Sequence, residues 1–150
     1  MHQRVDSLWA QARDADPSLF DDGIFSPHRI DEDGNGRVTG VEGVIIPYSR
    51  FLACSRDRDL GADLDLWVMG VSGLLLCPGG AVAGRRFKTA IGAGALELAP
   101  AGTIGHEAVH EGTIDAKALL LDGLGEELGL SPDDLTRRPA PFALAEDRAT

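Results

Sequence analysis

The chain is short of basic residues and of cysteine, and it has no long apolar run; each shortage excludes a class of protein. Fourteen Lys and Arg stand against 24 Asp and Glu, a formal net charge of -10. No basic stripe is available to release counterions from a phosphate backbone, so no nucleic-acid partner is expected. A small anion can still bind where a divalent cation neutralises carboxylates locally. The longest apolar run, Val71 to Cys77, is interrupted by Ser72 and Gly73, and Met1 to Ala15 is polar. The expectation is therefore no signal peptide, no spanning helix and no membrane partner. Cys54 and Cys77 lie in apolar surroundings without a CxxC spacing, which reads as buried thiols in a reducing cytoplasm.

What is present suits one domain. A length of 150 residues with 43% hydrophobic and 25% charged residues is enough for a core and too short for two ordinary domains. No internal repeat is found. Val5, Leu8, Trp9 and Ala12 have the spacing of an amphipathic helix that closes at Asp16-Pro17. Ile24 to Ile30 and Arg37 to Ile46 are extended by their β-branched content and are joined by the turn Asp31 to Gly36. Tyr48 to Arg56 reads as a helix with Pro47 at its start. Leu66 to Cys77 and Ala81 to Phe87 flank Pro78-Gly79-Gly80, a hairpin signal. Ala95 to Ala99 is a short strand, Ala116 to Leu130 the strongest helix, and Ala140 to Ala145 a final strand. Strands followed by one long helix predict an α/β or α+β sandwich.

Carboxylates concentrate on that helix. At about 3.6 residues per turn, positions 123, 126 and 127 share one side, opposite Leu120, Leu121, Leu124 and Leu128. Glu126 and Glu127 are therefore candidate hard-oxygen ligands for Mg²⁺ or Mn²⁺, with Asp122 as a neighbouring substitute. Read alone, an adjacent Glu-Glu pair is a solvated helix face. Gly123 and Gly125 each cost the helix about 1 kcal/mol relative to alanine. His106 and His110 flank Glu107, but the glycine-rich stretch around them offers no helical face for a zinc pair.

A second acidic motif is Asp31-Glu32-Asp33-Gly34-Asn35-Gly36-Arg37-Val38-Thr39-Gly40-Val41-Glu42. Asp31, Asp33, Asn35, Arg37, Thr39 and Glu42 fall at the ligand positions of an EF-hand calcium loop, with glycine at the sixth. The flanks argue against helices there: Ser26-Pro27 precedes the loop, and Gly43 and Pro47 follow it. A hairpin turn between two strands accounts for the same residues.

The stretch from Gly105 to Leu130 resembles the box of the Nudix hydrolase superfamily, G-x5-E-x7-R-E-U-x-E-E-x-G-U with U aliphatic. Gly105 and Glu111 match its start, and Leu124, Glu126, Glu127, Gly129 and Leu130 its end. Asp122-Gly123 replaces the arginine-glutamate pair, and ten residues rather than seven separate Glu111 from Asp122. Gly70-Val71-Ser72-Gly73-Leu74, Gly84-Arg85-Arg86 and Gly94 to Gly102 follow the order of Nudix elements that precede the box. The span from Val5 to Ala145 thus resembles an atypical Nudix branch with an insertion in a degenerate box, similar to UDP-sugar hydrolases.

The resemblance implies a Nudix-like α/β/α sandwich with a mixed sheet. It implies Mg²⁺- or Mn²⁺-dependent hydrolysis of a nucleoside diphosphate linked to another moiety, such as a UDP-sugar. Glu126 and Glu127 would be catalytic metal ligands, Glu97 and Asp122 further ligands, Glu111 a support for the loop, and Arg86 a substrate contact. Structure that normally follows the last strand is expected to be abridged, leaving an edge that a second copy could cover as a homodimer. The alternatives are a Nudix-like binding domain that is weakly active or inactive, and a Ca²⁺-binding protein using 31–42.

Overall fold

The computed structural model describes residues 1–87, 93–140 and 144. Its longest strands are β1, Gly23–Glu32, and β2, Val38–Pro47, an antiparallel ribbon paired from Gly23 opposite Pro47 to Glu32 opposite Val38, with register shifts between Pro27 and Arg29 and between Asp31 and Glu32. The acidic stretch is the turn of this ribbon. The helix α1, His2–Ala15, packs against α2, Tyr48–Arg56. Trp9 meets the Tyr48 ring edge-on, with centroids 6.3 Å apart.

The helix α3, Arg58–Leu64, was not expected from the sequence. Its signal is Asp57, whose side chain accepts the Leu60 amide at 3.1 Å as an N-cap. Leu60, 2% exposed, gives the short helix its buried anchor.

Backbone hydrogen bonds tie the ribbon to the centre of the chain. Phe25 donates to the Ile104 carbonyl at 2.8 Å, Ile104 to that of Met69 at 3.0 Å, and Met69 to that of Phe25 at 3.1 Å. Ile24 also bridges to Gly105. Phe25, Ile104 and Ala108 form a buried cluster at this crossing, packed by Val41, Met69, Val71, Val109, Ile114 and Leu119.

The remaining strands are short antiparallel pairs. Strand β3, Gly70–Ser72, pairs with β8, Ala101–Thr103; β4, Leu76–Cys77, with β5, Gly80–Ala81; and β6, Ala83–Arg85, with β7, Leu96–Leu98. A 3-10 turn, His106–Ala108, leads to β9, Val109–His110, and its partner β10, Thr113–Ile114. The hairpin expected at Pro78-Gly79-Gly80 is present, but its strands are far shorter than Leu66 to Cys77 and Ala81 to Phe87. Gly70 opens β3, Gly73 follows its last residue and Gly84 is inside β6, and glycines at such positions weaken strand pairing.

The last helix is α4, Ala116–Leu128, capped by Asp115, whose side chain accepts the Ala118 amide at 2.9 Å. It stops before Leu130 because Gly129 turns left-handed at φ 65°. It packs on β3 and β8, with Leu124 buried while Leu120, Leu121 and Leu128 are half-buried. The chain is thus mixed α/β, with helices and several small antiparallel sheets among the described residues. The strand expected at Ala140 to Ala145 lies outside them, except for Ala140 and Leu144. Among the described residues no helix is long and apolar enough to cross a membrane. Cys54 is half-buried, its thiol pushed up mainly by burial. Cys77 is exposed, which corrects its reading as a buried thiol; the short β4–β5 hairpin offers no cover.

Candidate functional site

The site begins where α4 lies against the connection from β7 to β8. That connection is Ala99-Pro100, both buried. Helix and connection approach closely at Gly123, where a Cβ would come within 3.2 Å of the Pro100 Cβ. The glycine that weakens the helix therefore lets α4 seat on the connection. One turn on, the Glu127 carboxylate accepts the Ala101 amide at 3.1 Å, so tertiary structure aims this residue at the start of β8. Glu126 and Asp122 are exposed.

Glu97 and Arg86 also meet. Gly84 lies opposite Glu97 in the β6–β7 pair, and Arg86 Nη1 reaches Glu97 Oε2 at 3.0 Å, both side chains being about one-third exposed. Among the described residues, Arg86 Nε is buried without a hydrogen-bond partner. Arg86 also acts on Tyr48: burial pushes the phenol up, and Arg86 followed by Arg56 partly offsets this. Glu97 is thus on β7, Arg86 is one residue past β6, and Glu127 is on the helix that packs on β8.

As a donor set for Mg²⁺ or Mn²⁺, Glu126, Glu127 and Glu97 have the right hard-oxygen chemistry. The Gly123 position supplies no third helix carboxylate, and Glu97 already has a cationic partner in Arg86. Among the described residues these carboxylates are not brought together as a convergent set of three. Glu111 is exposed in a left-handed turn at φ 48° before Gly112.

At 31–42 the flanks are strands on both sides, so the residues form a ribbon turn rather than a helix-loop-helix. Asp33 accepts the Asn35 amide at 2.8 Å and the Arg37 amide at 3.0 Å. Thr39 donates to the Asp31 carbonyl at 3.2 Å. Arg29 lies 2.7 Å from Asp31 and 3.5 Å from Glu42; Asp31, then Glu42, raise the guanidinium pKa further. A cation of the protein stands between the first and last positions of the loop pattern.

Among the described residues, one set of three metal-binding side chains converges, and it lies in neither place: Asp22, His106 and Glu107. His106 and Glu107 stood out in the sequence, whereas Asp22 did not, because only the Ile24 to Gly105 bridge brings it near. His110, four residues on, is on β9, in keeping with the lack of a helical face for a histidine pair. A cavity of about 260 Å³ beside α4 is lined by Lys117, Leu121, Arg137 and Arg138 among others. It includes none of the carboxylates just described, so the candidate site rests on the side-chain arrangement rather than on concavity. Compared with known families, with curated proteins and with solved structures, the chain matches none.

Proposed function

We propose that the chain is a Nudix-like α/β/α sandwich that hydrolyses a nucleoside diphosphate linked to another moiety, with Mg²⁺ or Mn²⁺, and that UDP-sugars are its first substrate class. The observation that carries this reading is the seating of α4 on the connection from β7 to β8, with Glu127 turned to the Ala101 amide. In this reading Glu126 and Glu127 hold the cation, with Glu97 and Asp122 as further ligands. The cation, when bound, neutralises phosphoryl oxygens and acidifies a water. Arg86 orients the diphosphate by charge-assisted hydrogen bonds, and the pairing with Glu97 holds its guanidinium in place beforehand. A cytoplasmic location and a homodimer belong to the same proposal. The exposed Leu76 and Leu96 support a partner copy.

Purified protein assayed with UDP-sugars and Mg²⁺ or Mn²⁺ should show turnover that falls in Glu127→Gln by more than the roughly 10–100-fold typical of outer-shell partners. Turnover unchanged in that variant would remove α4 from the reaction. A second reading, a binding domain without turnover, is favoured by the contact between Gly123 and Pro100, which stands where a third carboxylate would be. Saturable nucleotide binding with no product in any substrate screen would select it.

A further inference from the structure

Asp22 ends the segment before β1, and two contacts fix it. Its carbonyl accepts the Tyr48 amide at 2.8 Å, and its carboxylate accepts the Gly23 amide at 2.7 Å. Two residues on, Ile24 bridges to Gly105, so the residue after Gly105 is delivered beside the residue before Gly23. That residue is His106. Its Nδ1 lies 3.0 Å from Asp22 Oδ1 and 3.6 Å from Glu107 Oε2. Glu107 folds back to reach it across Gly105, where a Cβ would fall on the Glu107 carboxylate.

We propose that Asp22, His106 and Glu107 bind one divalent transition-metal ion. Two carboxylates approach one imidazole nitrogen, and that nitrogen carries at most one hydrogen, which it can direct well at only one of them. Among the described ion pairs of Asp22 and Glu107, the only cationic partner is His106 itself. An ion at the common focus satisfies all three groups at once. The geometry suits it: bonds of about 2.0–2.2 Å to nitrogen and oxygen place neighbouring ligand atoms roughly 3–3.5 Å apart. Here His106 Nδ1 stands 3.0 Å from the Asp22 oxygen and 3.6 Å from the Glu107 oxygen, and the three groups' ligand atoms all fall within 4.8 Å. Imidazole with two carboxylates suits Zn²⁺, Mn²⁺ or Fe²⁺ better than Ca²⁺ or Mg²⁺, which favour oxygen alone. Side chains 44 to 59% exposed leave coordination positions for water. The site is separate from Glu126 and Glu127 and does not depend on the proposed hydrolase reaction.

The test is calorimetric titration of metal-stripped full-length protein with Zn²⁺ alone. One equivalent should bind, with affinity at least about 10-fold weaker in His106→Ala and in Glu107→Gln, and unchanged in the Glu126→Gln, Glu127→Gln double variant. Glu107→Gln keeps the shape of an exposed side chain, so it reads the site even where His106→Ala disturbs the 3-10 turn. Absence of saturable Zn²⁺ binding overturns the proposal. Binding that is indifferent to both site variants, or lost in the double variant, overturns it equally.

Discussion

Asp31, Asp33 and Glu42 at the ribbon turn and Glu127 on α4 are the same chemistry held in opposite ways. In the turn, every oxygen partner described is close along the chain or across one hairpin: the Asn35 and Arg37 amides for Asp33, and Arg29 for Asp31 and Glu42. Glu127 instead meets the Ala101 amide, which belongs to another element. Local partners draw a loop's oxygens into the turn itself. A helix cannot fold its own amides onto its carboxylates beyond the first turn, so it offers them to whatever it packs against. The resemblance of 31–42 to a calcium loop and the partial match around 126–127 are thus physically unequal.

The largest expected effect attacks what holds α4 in place. Leu124 is 3% exposed, and Leu124→Ala should cost about 2–5 kcal/mol by chemical denaturation. A loss below about 1 kcal/mol would show that α4 is not seated by burial, and the contrast with the turn would fail.

A smaller effect separates the two helix glycines. At Gly125 a Cβ would meet only the Leu130 carbonyl at 3.7 Å, ordinary contact, so Gly125→Ala should stabilise by about 0.5–1 kcal/mol. At Gly123 the 3.2 Å approach to Pro100 opposes that gain, so Gly123→Ala should gain less. Equal gains in thermal melts would mean that the helix and the connection can part freely. Gly123→Glu, which adds a carboxylate, meets the same obstacle.

The smallest effect belongs to the turn. Asp33→Ala removes two exposed hydrogen bonds and should cost no more than about 1 kcal/mol. Because Arg29 already faces Asp31 and Glu42, millimolar Ca²⁺ should leave the melting temperature of the natural protein unchanged. A rise that disappears on changing Asp31 and Glu42 to alanine would place a calcium site there and reverse the comparison.

Much of the fold was legible where the causes are local. The helix from Tyr48, the ribbon with its Asp-Asn-Gly turn, and the helix after Asp115 each carry their own caps, turn residues or periodicity. The helix at Arg58 has little local signature, because Gly61 and the aspartates at 57, 59, 63 and 65 hide a pattern that rests on one buried leucine. The short pairs between 70 and 103 were overextended, because strand length depends on partners that period-two patterning does not identify.

The sequence by itself determined the acidic charge, the turn after Asp31, and the helices from Tyr48 and Ala116, since these follow from covalent geometry and partners within a few residues. Only the tertiary structure decided that Gly123 is a contact with Pro100, that Arg86 is paired with Glu97, and that Asp22 stands beside His106 and Glu107. The first and last depend on segments distant in the chain, the last joined through the backbone bonds of Phe25, Met69 and Ile104 and the Ile24 to Gly105 bridge, and the second on the β6–β7 pairing. No local pattern can encode such a meeting.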